Sequence, residues 1–328
     1  MKKKDIINFV ILIIVIAYAA YSYYNKTYDY NETEFLMDTI VNIKVEIKSK
    51  DAEKVVSNTF DLMRELENKL SCYQTASEIS KFNADEIESL KLDEDLKDIF
   101  AISSKLYSQS DSLYDITIGR LADLWDFENE VIPSEDKILE AIEMVGFDRL
   151  EFTDEIVRKP AGMKLNLGSL AKGYIIDKAV DFLKLNGIES GFVNAGGDIR
   201  IFGQKKPLKI GIQHPRSERG ELSGTLSVTN FSVVTSGDYE RFFIKDGIRY
   251  HHILNPKTGY PADTAVSVTV ISKQAVLADA YSTALFLLNP QQAINLANEI
   301  AEIDAIVFYL ENNEIKSLQT ENMKQYMN

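Results

Sequence analysis

An acidic and a hydroxyl side chain lie four residues apart in an otherwise apolar segment near the end of the chain. Residues 276–288 are apolar almost throughout, yet they include Asp279 and Thr283. A helix that is apolar on all sides normally lies in a core, and a spacing of four places both polar side chains on one helix face. Burial of a carboxylate is costly without a partner, and no Lys, Arg or His lies within one helical turn. A hard cation is one candidate partner, and backbone N–H groups are the alternative.

A glycine turn precedes a predicted helix in segment 165–174. Gly168 follows a predicted short strand, and a helix is expected over residues 170–185. Helix N-termini bind anions through free N–H groups and the helix dipole. Lys172 lies in the first turn, where the dipole disfavours a cation, so it is a candidate phosphate contact. An ordinary turn with a solvated lysine is the alternative.

Two further polar segments lie between predicted strands. Segment 194–198 contains paired glycines, which permit a close approach of backbone and ligand, although a turn or bulge is the simpler interpretation. In the later loop, Arg241 is expected to form an ion pair with Asp238 or Glu240 without any ligand.

Two of the three histidines are adjacent in a predicted strand. His251 and His252 precede a turn-prone segment, 253–261. Alternation along a strand sends them to opposite faces, so they cannot easily share one metal. One could act as an acid or base while the other packs. A purely structural role is the alternative.

These residues depend on a series of helices and strands for their positions. Helices are predicted over residues 51–70, 96–109, 137–145, 170–185 and 276–288. Strands are predicted over residues 39–47, 163–167, 199–202, 208–212, 224–228, 232–235, 242–244, 265–271 and 305–309. Because strands come in runs and do not strictly alternate with helices, the pattern predicts an α+β fold with mixed or antiparallel sheets and flanking helices.

Composition argues against one class of function and excludes two kinds of cysteine chemistry. The chain has 328 residues, 26% of them charged, and a net charge of −14, which argues against general nucleic-acid binding. Cys72 is the only cysteine, so an intramolecular disulfide and a zinc site with several thiolates are both excluded.

The N-terminus carries a membrane or secretion signal. Three lysines at positions 2–4 precede the nearly apolar residues 6–24. This pattern predicts a single membrane helix over residues 1–24, with the rest of the chain on the extracytoplasmic side of the cell membrane. A signal peptide cleaved near residues 17–19 is the alternative. Residues 25–34 are polar and are interpreted as a tether to one domain over residues 35–328.

The motifs in this order resemble the ApbE family of FAD:protein FMN transferases. They read LGSLAKGY at 167–174, VNAGGDI at 193–199, SGDYERFF at 236–243, HHILNPKTG at 251–259 and LADAYSTA at 277–284. The resemblance extends from about residue 35 to about residue 309, and it implies an ApbE-like flavin transferase fold.

The resemblance also implies an activity and a site. Family members use Mg²⁺ and the substrate FAD, move FMN onto a Thr or Ser hydroxyl of an acceptor redox protein through a phosphoester bond, and release AMP. The metal ligands would be Asp279, Thr283 and the carbonyl of Ala171, and His252 would be the catalytic base. The implied flavin contacts are Met37, Tyr73, Tyr114, Asp115, Ile116, Gly168, Lys172 and Ile253.

One position departs from the family pattern. Asp38 stands where the family commonly has glycine, between Met37 and Thr39. An acid close to an anionic dinucleotide is unfavourable unless its side chain points away.

Three other functions compete with transfer. A Mg²⁺-dependent FAD pyrophosphatase, giving FMN and AMP, would use the same residues with water as the acceptor. A membrane-tethered flavin-binding or electron-transfer module would not need Asp279. A purely structural extracellular domain would have no reason to combine an acid in an apolar helix with glycine loops.

Overall fold

An eight-stranded sheet forms the centre of the molecule. The structure is a computed structural model, and it describes residues 3–24, 27–47, 52–217 and 220–327. The strands are β1 (Tyr28–Leu36), β2 (Thr39–Ile47), β3 (Ser89–Lys91), β4 (Glu151–Phe152), β5 (Ile156–Arg158), β6 (Ser190–Ala195), β7 (Asp198–Phe202), β8 (Leu208–Gln213), β9 (Leu222–Val228), β10 (Ser232–Gly237), β11 (Phe242–Lys245), β12 (Ile248–His251), β13 (Ser267–Ser272), β14 (Ile303–Glu311) and β15 (Glu314–Gln319). The helices are α1 (Lys3–Tyr24), α2 (Ala52–Leu70), α3 (Glu78–Phe82), α4 (Glu94–Gln109), α5 (Gly119–Ala122), α6 (Glu135–Ile142), α7 (Ala171–Leu185), α8 (Ala275–Leu287) and α9 (Pro290–Glu299).

The main sheet is antiparallel at every one of its strand pairs. Its order is β1-β2-β6-β7-β10-β13-β14-β15. Helices α7 and α8 pack against each other, with α7 over β6 and β7 and α8 over β10 and β13. This arrangement confirms the predicted α+β class with antiparallel sheets and flanking helices.

Helix α8 lies in the interior, as its apolar sequence predicts. Ala278, Ala280 and Leu285 are among its fully buried residues. Helix α7 buries Tyr174, Ile176 and Val180, among others, and packs against α8, α2 and the sheet. Because both helices are buried, any polar side chain on their shared face has to be satisfied inside the protein.

The predicted tether is wrong for residues 28–34, because they belong to β1. Each residue of β1 pairs with β2, from Tyr28 opposite Ile47 to Leu36 opposite Thr39. The strand lies at the edge of the sheet and most of its side chains are exposed, so it lacks the apolar alternation that identifies a half-buried strand. Residues 25 and 26 lie outside the described part of the chain.

The predicted strand at residues 163–167 is also wrong. Met163, Leu165 and Leu167 are fully buried, which explains their alternation. The segment, however, forms only an isolated bridge between Lys164 and Ile118. The alternation of apolar residues correctly predicted that every second side chain is buried. A β-strand, however, also needs a neighbouring strand with which its backbone can form hydrogen bonds.

Residues 3–24 form helix α1. Among the helices of the described residues, none meets the length and apolarity needed to cross a membrane. The structure therefore does not support the predicted N-terminal membrane helix.

Candidate active site

Asp279 lies buried at the contact between α7 and α8. Its Oδ2 accepts a hydrogen bond of 2.8 Å from the backbone N–H of Gly173, at the start of α7. Burial and the neighbouring Asp198 carboxylate raise the pKa of Asp279 to about 7. The carboxylate is therefore only partly compensated by the protein.

A hydroxyl cluster lies one turn farther along α8. Ser236 Oγ, on β10, is 3.3 Å from Thr283 Oγ1 and 2.7 Å from Ser282 Oγ. Ser282 also donates to the carbonyl oxygen of Asp279 at 2.8 Å. The side-chain atoms on this face that could bind a metal are all oxygens, which are the ligands that a hard divalent cation prefers. Among the described residues, no group of three or more His, Cys, Asp or Glu side chains could hold a metal, so any cation here would rely on hydroxyl, carbonyl or substrate oxygens as well.

Lys172 is paired across the helix–sheet interface. Its Nζ lies 2.6 Å from Oδ2 of Asp198, which is buried at the start of β7. Although burial opposes the charge, Asp198 and Asp279 raise the pKa of Lys172 above its usual range. The acid across the interface explains why a cation is tolerated in the first turn of α7.

A cavity of about 380 Å³ opens beside Thr283. This volume lies within the range of small-molecule sites. Seven of the predicted site residues line it: Tyr73, Tyr114, Asp115, Gly168, His252, Ile253 and Thr283. Its walls are mostly apolar or aromatic, which suits a flat conjugated ring better than a highly charged ligand.

The two adjacent histidines point to opposite sides, as the alternation of side chains along a strand predicts. His251 is buried, with Nε2 2.7 Å from the carbonyl oxygen of Ala262 and its ring edge-on to Phe286. His252 instead faces the 380 Å³ cavity and is exposed there. Desolvation by the cavity walls, with the adjacent His251 ring, lowers the pKa of His252. Its imidazole is therefore neutral at pH 7 and can accept a proton.

Segment 114–116 contributes less to the cavity than its sequence suggests. Tyr114 is buried, and its phenolic oxygen accepts a hydrogen bond of 2.8 Å from Ser169. Both carboxylate oxygens of Asp115 are engaged, by Thr117 at 2.7 Å and by the backbone N–H of Phe147 at 3.0 Å. Ile116 lies in the core and does not line the cavity.

A second, smaller cavity of about 200 Å³ lies on the other side of Tyr73 and Gly168. Four further residues predicted as site residues or as their neighbours line it: Met37, Asp38, Ala171 and Lys172. Met37 and Asp38 form the β1–β2 turn, both with a φ of 54°, which is the left-handed conformation of a two-residue hairpin. Glycine adopts that conformation most easily, so the turn geometry accounts for the glycine that the family pattern has there.

Sequence reasoning missed the aromatic wall of the larger cavity. Trp125 stacks on Phe127 with ring centroids 6.1 Å apart, and its indole N–H donates to the carbonyl oxygen of Gly259 at 3.1 Å. Both aromatic residues line the cavity together with Arg241. Trp125 is the only tryptophan in the chain. Its rarity was the only feature of the sequence that could have marked it as a candidate site residue.

Asp238, one of the two expected partners of Arg241, pairs with a different arginine, while the expected pairing with Glu240 stays a prediction. Asp238 is buried against Arg216, whose Nη1 donates to Asp238 Oδ1 at 2.7 Å. Arg241 lies over the ring of Phe127, 5.6 Å from its centroid. Its cation thus faces the cavity that His252 lines.

A match to known proteins decides the family. The model of the ApbE family matches residues 37–307, most of the chain. The chain belongs to the ApbE family. This membership confirms the resemblance seen in the motifs, and the site described above lies within the matched region.

Relatives of this ApbE-family chain share most of its length. An FAD:protein FMN transferase of Klebsiella pneumoniae is 31% identical over 298 residues, covering 89% of this chain and 92% of the relative. One from Treponema pallidum is 30% identical over 306 residues, covering 86% and 84%. The crystal structure of the ApbE protein of Thermotoga maritima has a TM-score of 0.82 at 32% identity, covering 92% of this chain and 100% of that one. The Klebsiella and Treponema relatives are named as transferases, in agreement with the predicted class of enzyme.

Proposed function

We propose that this protein transfers the FMN moiety of FAD to a Thr or Ser hydroxyl of an acceptor protein, with Mg²⁺ as cofactor, and releases AMP. Family membership supports the reaction class, since the relatives are named FAD:protein FMN transferases. The observation that carries the proposal is the placement of His252 and Thr283 in one aromatic-walled cavity, with buried Asp279 one helical turn from Thr283.

The proposed step is a displacement at the flavin-side phosphorus. The acceptor hydroxyl oxygen forms the new P–O bond, and the bond from that phosphorus to the bridging oxygen of the pyrophosphate breaks. AMP leaves with the electron pair of that bond, and the hydroxyl proton passes to a ring nitrogen of His252. A neutral imidazole exposed in the cavity is suited to this role.

The protein has residues that suit Mg²⁺. Asp279, Thr283 and the carbonyl of Ala171 would hold the ion, and the raised pKa of Asp279 indicates a charge that a cation would compensate. When bound, Mg²⁺ would neutralise negative charge on the phosphates and the leaving AMP. Arg241 and Lys172 add positive charge on either side of Gly168, in the two cavities.

In-gel flavin fluorescence tests the proposal. An acceptor protein is incubated with FAD, Mg²⁺ and either the wild-type protein, Asp279→Ala or His252→Ala. We expect fluorescence on the acceptor with wild type and at least a hundredfold slower labelling with either variant. Asp263→Ala, at an exposed acid outside both cavities, is the matched control and should label normally. Labelling at the wild-type rate by Asp279→Ala would contradict the metal assignment.

Hydrolysis of FAD to FMN and AMP is the second candidate. It is favoured by one observation: His252 is exposed in the cavity, where water can reach it. AMP release from FAD and Mg²⁺ without acceptor measures this reaction directly. A transferase should release AMP much faster once acceptor is added, whereas a pyrophosphatase should be indifferent to it.

We also propose that the enzyme and its acceptor meet on the extracytoplasmic side of the cell membrane. The support is the sequence of residues 2–24, three lysines followed by an apolar run. A removed signal peptide would place the domain there as well. Protease added to intact cells with permeable outer layers should degrade the domain, and protection until the cells are lysed would contradict this location.

A further inference from the structure

Asp177 is a buried carboxylate on α7 with no part in the proposed reaction. Its Oδ1 accepts a hydrogen bond of 2.8 Å from the backbone N–H of Ala275, and its Oδ2 accepts one of 3.0 Å from Val276. These N–H groups open helix α8 and have no partners within their own helix. The residue at the N-cap position, Gln274, makes no side-chain hydrogen bond to them. One helix therefore caps another.

The charge of Asp177 is compensated from the sheet. Arg200 on β7 hydrogen-bonds Asp177 Oδ1, and both side chains are nearly buried, 12% and 11% exposed. Two residues earlier on the same strand, Asp198 holds Lys172. Two ion pairs thus join helix α7 to strand β7. The helix supplies the acid in one pair and the base in the other. Both pairs fix α7 relative to the sheet.

The cap lies one helical turn from the contact made by Asp279. Along α7, Gly173 precedes Asp177 by four residues; along α8, Ala275 precedes Asp279 by four. Gly173 bonds Asp279 while Asp177 bonds Ala275, so the two contacts form an antiparallel pair on one face of each helix. Together they define both the spacing of the helices and their register.

We propose that Asp177 is a positioning residue that holds Asp279 and Thr283 in register with Ala171. This inference rests on the proposed metal site at those residues. A carboxylate supplied by α8 itself would cap the helix equally well, but it would not join α8 to α7. The prediction is therefore specific: loss of Asp177 weakens the metal site even when the cap is restored locally.

The test measures binding of Mn²⁺ alone to the full chain without FAD, by electron paramagnetic resonance. Asp177→Ala/Arg200→Met removes both buried charges together, so that neither is left unpaired. Adding Gln274→Asp supplies an N-cap side chain from the chain of α8 itself. The melting temperature of each variant measures how far the cap stabilises the protein. The Mn²⁺ affinity measures whether α7 and α8 keep their register. Wild type and Asp279→Ala establish how much of the Mn²⁺ binding depends on Asp279.

We expect the double variant to bind Mn²⁺ about tenfold more weakly than wild type, a loss typical of residues that orient metal ligands. The triple variant should regain much of the lost melting temperature while its Mn²⁺ affinity stays weak. Recovery of both would reduce Asp177 to an ordinary cap and overturn the proposal, as would unchanged Mn²⁺ affinity in the double variant. If the double variant does not fold, Asp177→Asn keeps an acceptor oxygen for the cap but removes the charge that Arg200 pairs with. Weaker Mn²⁺ binding by this variant would support the proposal, and unchanged binding would overturn it.

The metal proposal can fail independently. If Asp279→Ala leaves Mn²⁺ binding unchanged, the metal site of the proposed function is wrong and this inference falls with it. If Asp279 matters and Asp177 does not, only this inference is wrong. With transfer as the readout, the double variant should need more Mg²⁺ for half-maximal rate and should recover its kcat at saturating Mg²⁺.

Discussion

The carboxylate of Asp279 accepts the backbone N–H of Gly173 at 2.8 Å, across two helices that lie in direct backbone contact. A Cβ atom on Gly173 would come within 2.4 Å of the carbonyl oxygen of Ala275 and within 2.8 Å of Asp279 Cβ. No side chain can occupy that space without separating the helices. The absence of a side chain at position 173 is therefore what allows the start of α7 to lie against Asp279.

Gly173→Ala should disrupt the site through sterics alone. The added methyl group has to push α8 away from α7, at a cost of about 1–3 kcal/mol in the free energy of unfolding. We expect transfer to fall much further than this stability loss explains, and the Mg²⁺ requirement to rise. Chemical denaturation and a Mg²⁺ titration of the rate measure the two effects. Gly224→Ala is the control, because its Cβ would meet only the flexible end of Met327, at 3.1 Å; equal losses in both variants would contradict the account.

Removal of the Asp279 charge should stabilise the metal-free protein at high pH. Burial and Asp198 raise the folded-state pKa of Asp279 to about 7, so the folded protein binds this proton more tightly than the unfolded chain. Its contribution to stability is present at low pH and is lost as pH rises toward 7. Asp279→Asn should therefore melt about 3 °C or more above wild type at pH 8 in chelator, with the difference shrinking toward pH 5.

Magnesium provides the control for that measurement. Mg²⁺ at pH 8 should raise the melting temperature of wild type and leave that of Asp279→Asn unchanged. A variant that is less stable than wild type at pH 8, or that still responds to Mg²⁺, would show that the Asp279 charge is compensated by the protein itself.

The two adjacent histidines should respond in opposite ways to substitution. His252→Ala removes an exposed ring, so its melting temperature should stay within about 1 °C of wild type, while transfer falls by about 10²–10⁴-fold. His251→Ala removes a buried ring that contacts Phe286 and the carbonyl of Ala262, so it should cost several kcal/mol of stability. Differential scanning calorimetry and labelling kinetics separate the two. A stability loss confined to His252→Ala would reverse the assignment.

The left-handed backbone conformation of Asp38 should destabilise the β1–β2 turn, and the β11–β12 turn offers a matched comparison. Asp38 has a φ of 54° at the second position of its turn, whereas the β11–β12 turn has Gly247 at the same position, with a φ of 79°. Asp38→Gly should stabilise the protein by about 0.5–1 kcal/mol, and Gly247→Asp should destabilise it by a similar amount. Urea denaturation measures both. Asp38→Gly also removes an acid from the smaller cavity, so tighter FAD binding is expected.

The sequence predicts which site residues share a face better than it predicts their partners in space. Asp279 and Thr283 could be assigned to one face because helix spacing is local, and the division between His251 and His252 follows from strand alternation. The partners of Lys172 and Asp238 could not be predicted, because Asp198 and Arg216 approach them from other elements. Edge strand β1 was missed because exposed strands need no apolar alternation. Trp125 was missed because only the folded chain brings it beside Gly259.

Intact-mass spectrometry of an acceptor protein tests the central claim most directly. The acceptor is incubated with FAD and Mg²⁺, with wild-type protein, with Asp279→Ala, or with neither. We expect a mass increase of one FMN moiety on a Thr or Ser of the acceptor, together with release of one AMP, only with the wild-type protein. Release of FMN and AMP with no change in acceptor mass would make the protein a pyrophosphatase, and full modification by Asp279→Ala would contradict the site.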